Sequence, residues 1–208
     1  MCCRSDWLMD YAFFGAKQVV ISSASSKTAY GAAFCLHGRT SCKLIGLTSE
    51  TNRGFVEALG CYDRAMGYRD VATLDAKTPT LYVDFSGSNE LRHQVHSHFG
   101  AQLVYSCYPG SAQSHDHISK SQAELPDPKP EPYFAPNQIK KRNADWGPAE
   151  VTRRINQAQL AFIRRVSDRE RPWMKVIEHA GFPAAQALVS ELVGGKTDPK
   201  DGHVLVFG

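Results

Sequence analysis

No run of about eighteen apolar residues occurs in this chain, so the sequence encodes no obvious membrane-spanning helix. The opening MCCRSDWLMDYAFFGA lacks the basic start, apolar centre and small-residue cleavage site of a secretion signal, which makes the cytoplasm the expected compartment. Six cysteines are present, at 2, 3, 35, 42, 61 and 107, yet none forms a CxxC pair or a metal-ligand spacing. Several lie inside apolar segments, where a free thiol packs as a small hydrophobe, so reduced cysteines and no metal are expected. Cys2 and Cys3 are adjacent and open to acylation, but a frayed terminus is the plainer meaning. A GxSxG elbow is missing, and SxxK is absent because Ala24 stands three before Lys27, which removes the usual signs of a serine hydrolase.

Charge of one sign is also scarce. A net charge of +3 over 208 residues does not argue for nucleic acid. The basic residues Lys140, Lys141, Arg142, Arg153, Arg154, Arg164 and Arg165 make one positive strip against Asp145 and Glu150. The two arginine doublets fall on one helical face, whose plainer meaning is a solvated surface. With 42% apolar residues the chain has enough hydrophobic content for a soluble domain with a substantial core.

What is present is an alternation of β-rich runs and helical patterns from residue 17 to 110, the signature of a parallel sheet covered on both faces. Strands are expected at Gln18–Ser23, Lys43–Leu47, Tyr62–Tyr68, Thr80–Phe85 and Gln102–Cys107. The first helix, Lys27–His37, carries Ala29, Ala32, Ala33 and Leu36 on one face and meets Gly38. The fold class is therefore α/β, a Rossmann-like doubly wound parallel sheet. Residues 1–16 read as an N-terminal extension and 17–110 as the Rossmann-like core. Residues 111–148, with SHDH and LPDPKPEPYFAP, read as a proline-rich irregular connection. Residues 149–208 supply helices at Ala149–Val166, Pro172–Ala180 and Pro183–Val193, then a terminal strand completing the same domain.

The turn after the first strand is where such sheets hold a pyrophosphate. Ala24-x-Ser26-x-x-Ala29 stands there in GxGxxG spacing with every glycine replaced by a small residue. Ser25, Ser26 and Thr28 offer hydroxyls and Lys27 a point charge; helix-capping serines of a sheet that binds nothing are the bland alternative. At the end of the second strand, Thr48, Ser49 and Arg53 favour a 2′-phosphorylated cofactor, NADP(H), with Glu50 arguing the other way. His115 of SHDH lies at the same sheet edge, open to acid or base chemistry. His93 and His96 are three apart on a helix, but no third metal ligand accompanies them and an exposed face is expected.

The strings VVISSASSKTA, LIGLTSETN, VEALGCYDRAMGYRD, VDFSGS and ELVGGKTDPKDGHVLVF resemble the cofactor domain of medium-chain dehydrogenase/reductases of the quinone or enoyl reductase kind. More closely, SSASSKTA, GLTS, YVDFSG, LPDPKPEPYFAP and KKRNADWG resemble a family known mainly as a domain of unknown function in fungi and bacteria, divergent members of that superfamily. The resemblance runs from about Asp6 to Gly208 and implies that Ala24, Ser25, Ser26, Lys27 and Thr28 face the pyrophosphate. It sets Thr48, Ser49 and Arg53 near the adenosine ribose, Tyr68 on the adenine side, and Ser86 and Gly87 with Tyr108 and Pro109 at the nicotinamide end. It also implies that the superfamily's N-terminal GroES-like barrel is absent. The terminal strand, His203–Phe207, ordinarily returns to that barrel; left alone it is an aggregation hazard, so a homodimer or partner chain is expected there.

The leading expectation is an NADP(H)-linked oxidoreductase-like protein acting on a small molecule in a biosynthetic pathway, with Tyr108 and His115 as candidate catalytic residues. Cofactor-independent isomerase, cyclase or lyase chemistry in the vacated cleft is the rival, and a non-catalytic binding remnant the third. No nucleic acid, membrane or metal partner is expected.

Overall fold

Every strand of the main sheet is parallel, and each owes this to a helical or irregular crossover that returns the chain to the same edge. The computed structural model describes residues 2–109 and 125–207. These divide into two compact units, at 158/159.

In the first unit, α1 (Cys2–Asp10) precedes a short 3-10 turn at Ala12–Gly15. Then come β1 (Gln18–Ile21), α2 (Lys27–Leu36), β2 (Lys43–Thr48), α3 (Glu50–Leu59) and β3 (Arg64–Gly67). After a 3-10 turn at Tyr68–Thr73 follow β4 (Thr80–Val83), α4 (Asn89–Phe99) and β5 (Leu103–Pro109). The strand order is β3-β2-β1-β4-β5, with β6 (Glu131–Tyr133) added at the outer edge. Central strands β1 and β4 are buried at every position, as a sheet covered on both faces requires. Val20, Ile45, Leu47, Met66, Tyr82, Leu91, Val95 and Phe99 form one core cluster on the α4 side. Each fully buried aliphatic side chain there contributes about 1.5–3 kcal/mol of transfer free energy.

Two corrections concern prolines. The segment expected to be irregular carries β6 and a helix, α5 (Ala135–Trp146). Pro132 lies in an edge strand and Pro136 in a first helical turn, the two places where a missing N–H costs nothing. The N-terminal extension is likewise structured: Leu8 of α1 is buried, and Arg142 of α5 pairs with Asp6 and Asp10.

α6 (Pro148–Val166) carries the chain into the second unit, which holds β7 (Lys175–Ala180), α7 (Gly181–Val193) and β8 (Asp201–Val206). The expected Pro172–Ala180 helix is instead β7, which pairs in parallel with β8 from Lys175↔Asp201 to Ala180↔Val206. Trp173, Val166 and Leu188 are this unit's buried residues, and Arg165 lies over the Trp173 ring at 4.4 Å.

Candidate functional site

The strand order reverses between β1 and β4, and a crevice outside the carboxyl ends of these strands is where an open α/β sheet takes its ligand. Three turns meet there: β1 to α2, β2 to α3, and β4 to α4.

The first turn is built from serines. Ser23 adopts φ 49°, in the left-handed region. Its neighbours are pinned on opposite sides, Ser22 N–H to the Val83 carbonyl (3.1 Å) and Ala24 N–H to the Leu47 carbonyl (2.9 Å). The Ser23 carbonyl accepts from Ser26 N–H (2.8 Å), and the Ser26 hydroxyl caps α2 by accepting from Ala29 N–H (3.3 Å). Ser25 Oγ accepts from the Thr48 hydroxyl and from Asn52 Nδ2, both at 3.3 Å, so the first and second turns are joined. Lys27 and Thr28 are exposed on the first turn of α2, and Ser25 and Ser26 half-buried beside them. Small hydroxyl side chains, a cation and a helix N-terminus form a donor set that fits a pyrophosphate.

Ala24 faces the other way. It is wholly buried, a side chain added at Gly46 would come within 2.9 Å of its Cβ, and the Tyr62 hydroxyl donates to its carbonyl (3.1 Å). The Ala24 side chain, expected beside the pyrophosphate, thus supports the turn from beneath. Burial pushes the Tyr62 phenol well above its ordinary pKa, with Cys61 and Tyr30 adding to the effect, so it stays a donor.

At the second turn, Thr48 is buried, and Ser49 occupies the N-cap of α3 without a side-chain cap bond. The Arg53 guanidinium lies 3.2 Å from Glu57, 3.7 Å from Asp70 and 3.8 Å from Glu50. The Glu50 carboxylate rests over Gly67, where any Cβ would meet it at 1.8 Å. Tyr68 follows and packs against the core cluster. The second turn thus carries a cation held among three carboxylates.

The third turn holds a buried carboxylate. Asp84 Oδ2 accepts from Arg92 Nε (3.0 Å) and Nη2 (2.7 Å), and both residues are buried. Burial pushes the Asp84 carboxyl up, but the Arg92 charge and the Ser86 and Ser22 hydroxyls outweigh it and hold the group below its ordinary range. Ser86 and Gly87 give their N–H groups to this carboxylate. Tyr108 is buried on β5, in register with Pro132. His115 and the side chain of Pro109 lie outside the described residues.

His96 corrects another expectation. Instead of lying on an exposed face it is fully buried, with Nδ1 3.0 Å from the Pro126 carbonyl and Nε2 3.0 Å from Ser106 Oγ. The carbonyl only accepts, so Nδ1 carries the proton and Nε2 accepts from Ser106. Burial lowers its pKa and favours this neutral form. Among the described residues no group of three or more His, Cys, Asp or Glu is placed to hold a metal, and no helix is long and apolar enough to cross a membrane.

Asp84 and Arg92 were not singled out by sequence, and Ser22 and Ser23 were read only as part of the serine-rich end of the first strand. The available signal was an aspartate ending an apolar strand, followed by Ser-Gly-Ser and, within the next helix, an arginine on its buried face.

Solved structures share this fold. The quinone oxidoreductase from Coxiella burnetii superposes with a TM-score of 0.56 at 13% identity, over 99% of this chain and 57% of its own. CurK enoyl reductase gives 0.58 at 10%, over 100% and 60%. The yhdH oxidoreductase from Salmonella enterica, in complex with NADP, gives 0.56 at 12%, over 98% and 59%. The chain therefore spans less than two thirds of the length of these enzymes, and the likeness is one of fold, a Rossmann-like parallel sheet flanked by helices. No curated protein matches it in sequence. One family model does, over residues 3–198, and the chain belongs to that family, described as "Protein of unknown function (DUF2855)".

Proposed function

We propose that this protein is an NADP(H)-linked oxidoreductase-like protein acting on a small molecule of a biosynthetic pathway. The observation that carries the reading is the reversal of strand order at β1/β4, flanked by the half-buried Ser25 and Ser26 and the exposed Lys27 and Thr28 at the start of α2. In this reading the α2 turn holds the pyrophosphate, Arg53 with Ser49 meets the 2′-phosphate, and the small molecule lies near Tyr108 and His115. The dinucleotide supplies hydride chemistry when bound; the chain's own task is to orient it and to shield the crevice from water.

Titration with NADPH, followed by nucleotide fluorescence, tests this. Saturable binding below millimolar concentration is expected, weakened in Lys27→Ala. No binding at millimolar nucleotide would sink the reading. Arg53→Ala should weaken NADPH while leaving NADH unchanged; equal losses would count against a 2′-phosphate site.

The reading includes a homodimer formed through the terminal strand. It is supported by the exposed Val204, Leu205, Val206 and Phe207 on and beside β8, whose outer edge has no strand partner among the described residues. Light scattering at micromolar concentration should report a dimer; a clean monomer would exclude it, and a stable complex with another chain would replace it.

A further inference from the structure

Ser22 closes β1 and Asp84 follows β4, the two strands between which the order reverses. The Ser22 hydroxyl donates to Asp84 Oδ1 (2.9 Å) and accepts from the N–H groups of Phe85 (2.9 Å) and Ser86 (3.1 Å). Asp84 Oδ1 also accepts from Ser86 N–H (2.9 Å), the Ser86 hydroxyl (2.7 Å) and Gly87 N–H (3.2 Å). Arg92 holds Oδ2 and is itself oriented by Nη1 donating to Asn89 Oδ1 (3.1 Å). The Ser86 hydroxyl accepts from Ser88 N–H (3.2 Å), and the Ser88 hydroxyl caps α4 by accepting from Leu91 N–H (3.2 Å).

Three successive N–H groups, of residues 85 to 87, therefore point inward. Such a turn is an anion-binding concavity, and here the protein's own carboxylate and hydroxyl occupy it. The two turns across the crevice are chemically opposed. One carries small hydroxyls and a cation at a helix N-terminus; the other has spent its backbone donors and is fixed from residue 84 to 88.

We propose that Ser22, Asp84 and Arg92 act as a positioning unit. They preset the β4–α4 turn as a rigid wall for the half of a dinucleotide opposite the adenosine, and they deny that wall to phosphate. The inference rests on the dinucleotide reading above. It assigns these residues no contact with the cofactor.

The test compares two probes, NADPH and its adenosine half, 2′,5′-ADP, on wild type, Ser22→Ala and Ser22→Thr, each well below its own unfolding midpoint. Ser22→Ala removes the acceptor shared by the Phe85 and Ser86 N–H groups, so NADPH should weaken about tenfold while 2′,5′-ADP stays within about twofold. Ser22→Thr, which keeps the hydroxyl, should restore NADPH binding. Equal losses for both probes, or no loss for either, would overturn the positioning role while leaving the dinucleotide reading intact. Wild type that binds neither probe overturns both. Should Ser22→Ala fail to fold, amide hydrogen exchange on wild type decides: Phe85, Ser86 and Gly87 are expected to be protected, and exchange at exposed-loop rates would overturn the proposal.

Discussion

Parallel strand pairing occurs twice in this molecule, in opposite surroundings. In the first unit β1 and β4 are buried along their whole length, and helices cover both faces of the sheet. In the second unit β7 and β8 pair just as regularly, yet Val176, Val204 and Val206 remain 58%, 45% and 45% exposed on one face of the ribbon. Parallel sheets are rarely stable without cover on both faces, and two strands alone are marginal. The lesson is that hydrogen-bond register makes a ribbon but burial makes a domain. The first unit carries its own cover; the second presents a surface for one.

The comparison breaks most severely at the buried Asp84–Arg92 ion pair of the first unit. Asp84→Asn or Arg92→Leu leaves a partner charge in a dry site, and urea unfolding should show a loss of about 3–5 kcal/mol. The Asp84 carboxyl sits below its ordinary range when folded, so its contribution is present above the unfolded carboxylate pKa and disappears as pH falls through the folded value. The difference between wild type and Asp84→Asn should therefore shrink on acidification from about pH 4 downward. A pH-independent difference would show that the pair is not ionised. Glu150, which meets Arg153 and Arg154 at 2.7 Å and 2.6 Å on an exposed surface, supplies the contrast. Glu150→Gln should leave the unfolding midpoint unchanged.

On the ribbon the expected effect is on association rather than stability. Val204→Lys with Val206→Lys places two charges on the open face and edge of β8, the usual way an edge strand is protected from pairing. The first unit should melt as before, while any dimer seen by light scattering should be lost. A dimer that survives both substitutions would move the interface elsewhere.

The parallel sheet was legible because its strands are β-branched runs bounded by turn residues. The turn between β1 and α2 was legible because Ala24-x-Ser26-x-x-Ala29 keeps a known spacing. Local reading failed where a residue had an exceptional position: Pro132 on an edge strand, Pro136 in a first turn, and β7 flanked by Pro172 and Pro183. It failed again where chemistry depends on topology. Ser22 and Asp84 lie 62 residues apart, and nothing along the chain couples them until β1 is laid beside β4. The orientation of Ala24 was hidden for the same reason, since only packing on Gly46 shows that it looks inward.

The smallest effect tests how firmly that turn is held. Ser23 sits at φ 49° because Ser22 N–H is tied to β4 and Ala24 N–H to β2, so the chain must reverse between them in the left-handed region. For an L residue that conformation costs about 1–2 kcal/mol. Glycine removes the strain but adds about 0.5–1 kcal/mol of backbone entropy to the unfolded chain. Ser23→Gly should therefore stabilise the protein by about 0.5 kcal/mol, read as a higher urea midpoint at unchanged slope. Ser23→Val, which adds β-branching to the same backbone, should shift the midpoint the other way. If both substitutions are neutral, the turn relaxes in solution and the two hydrogen bonds do not fix it. If glycine destabilises, the Ser23 hydroxyl makes a contact worth more than the strain it endures.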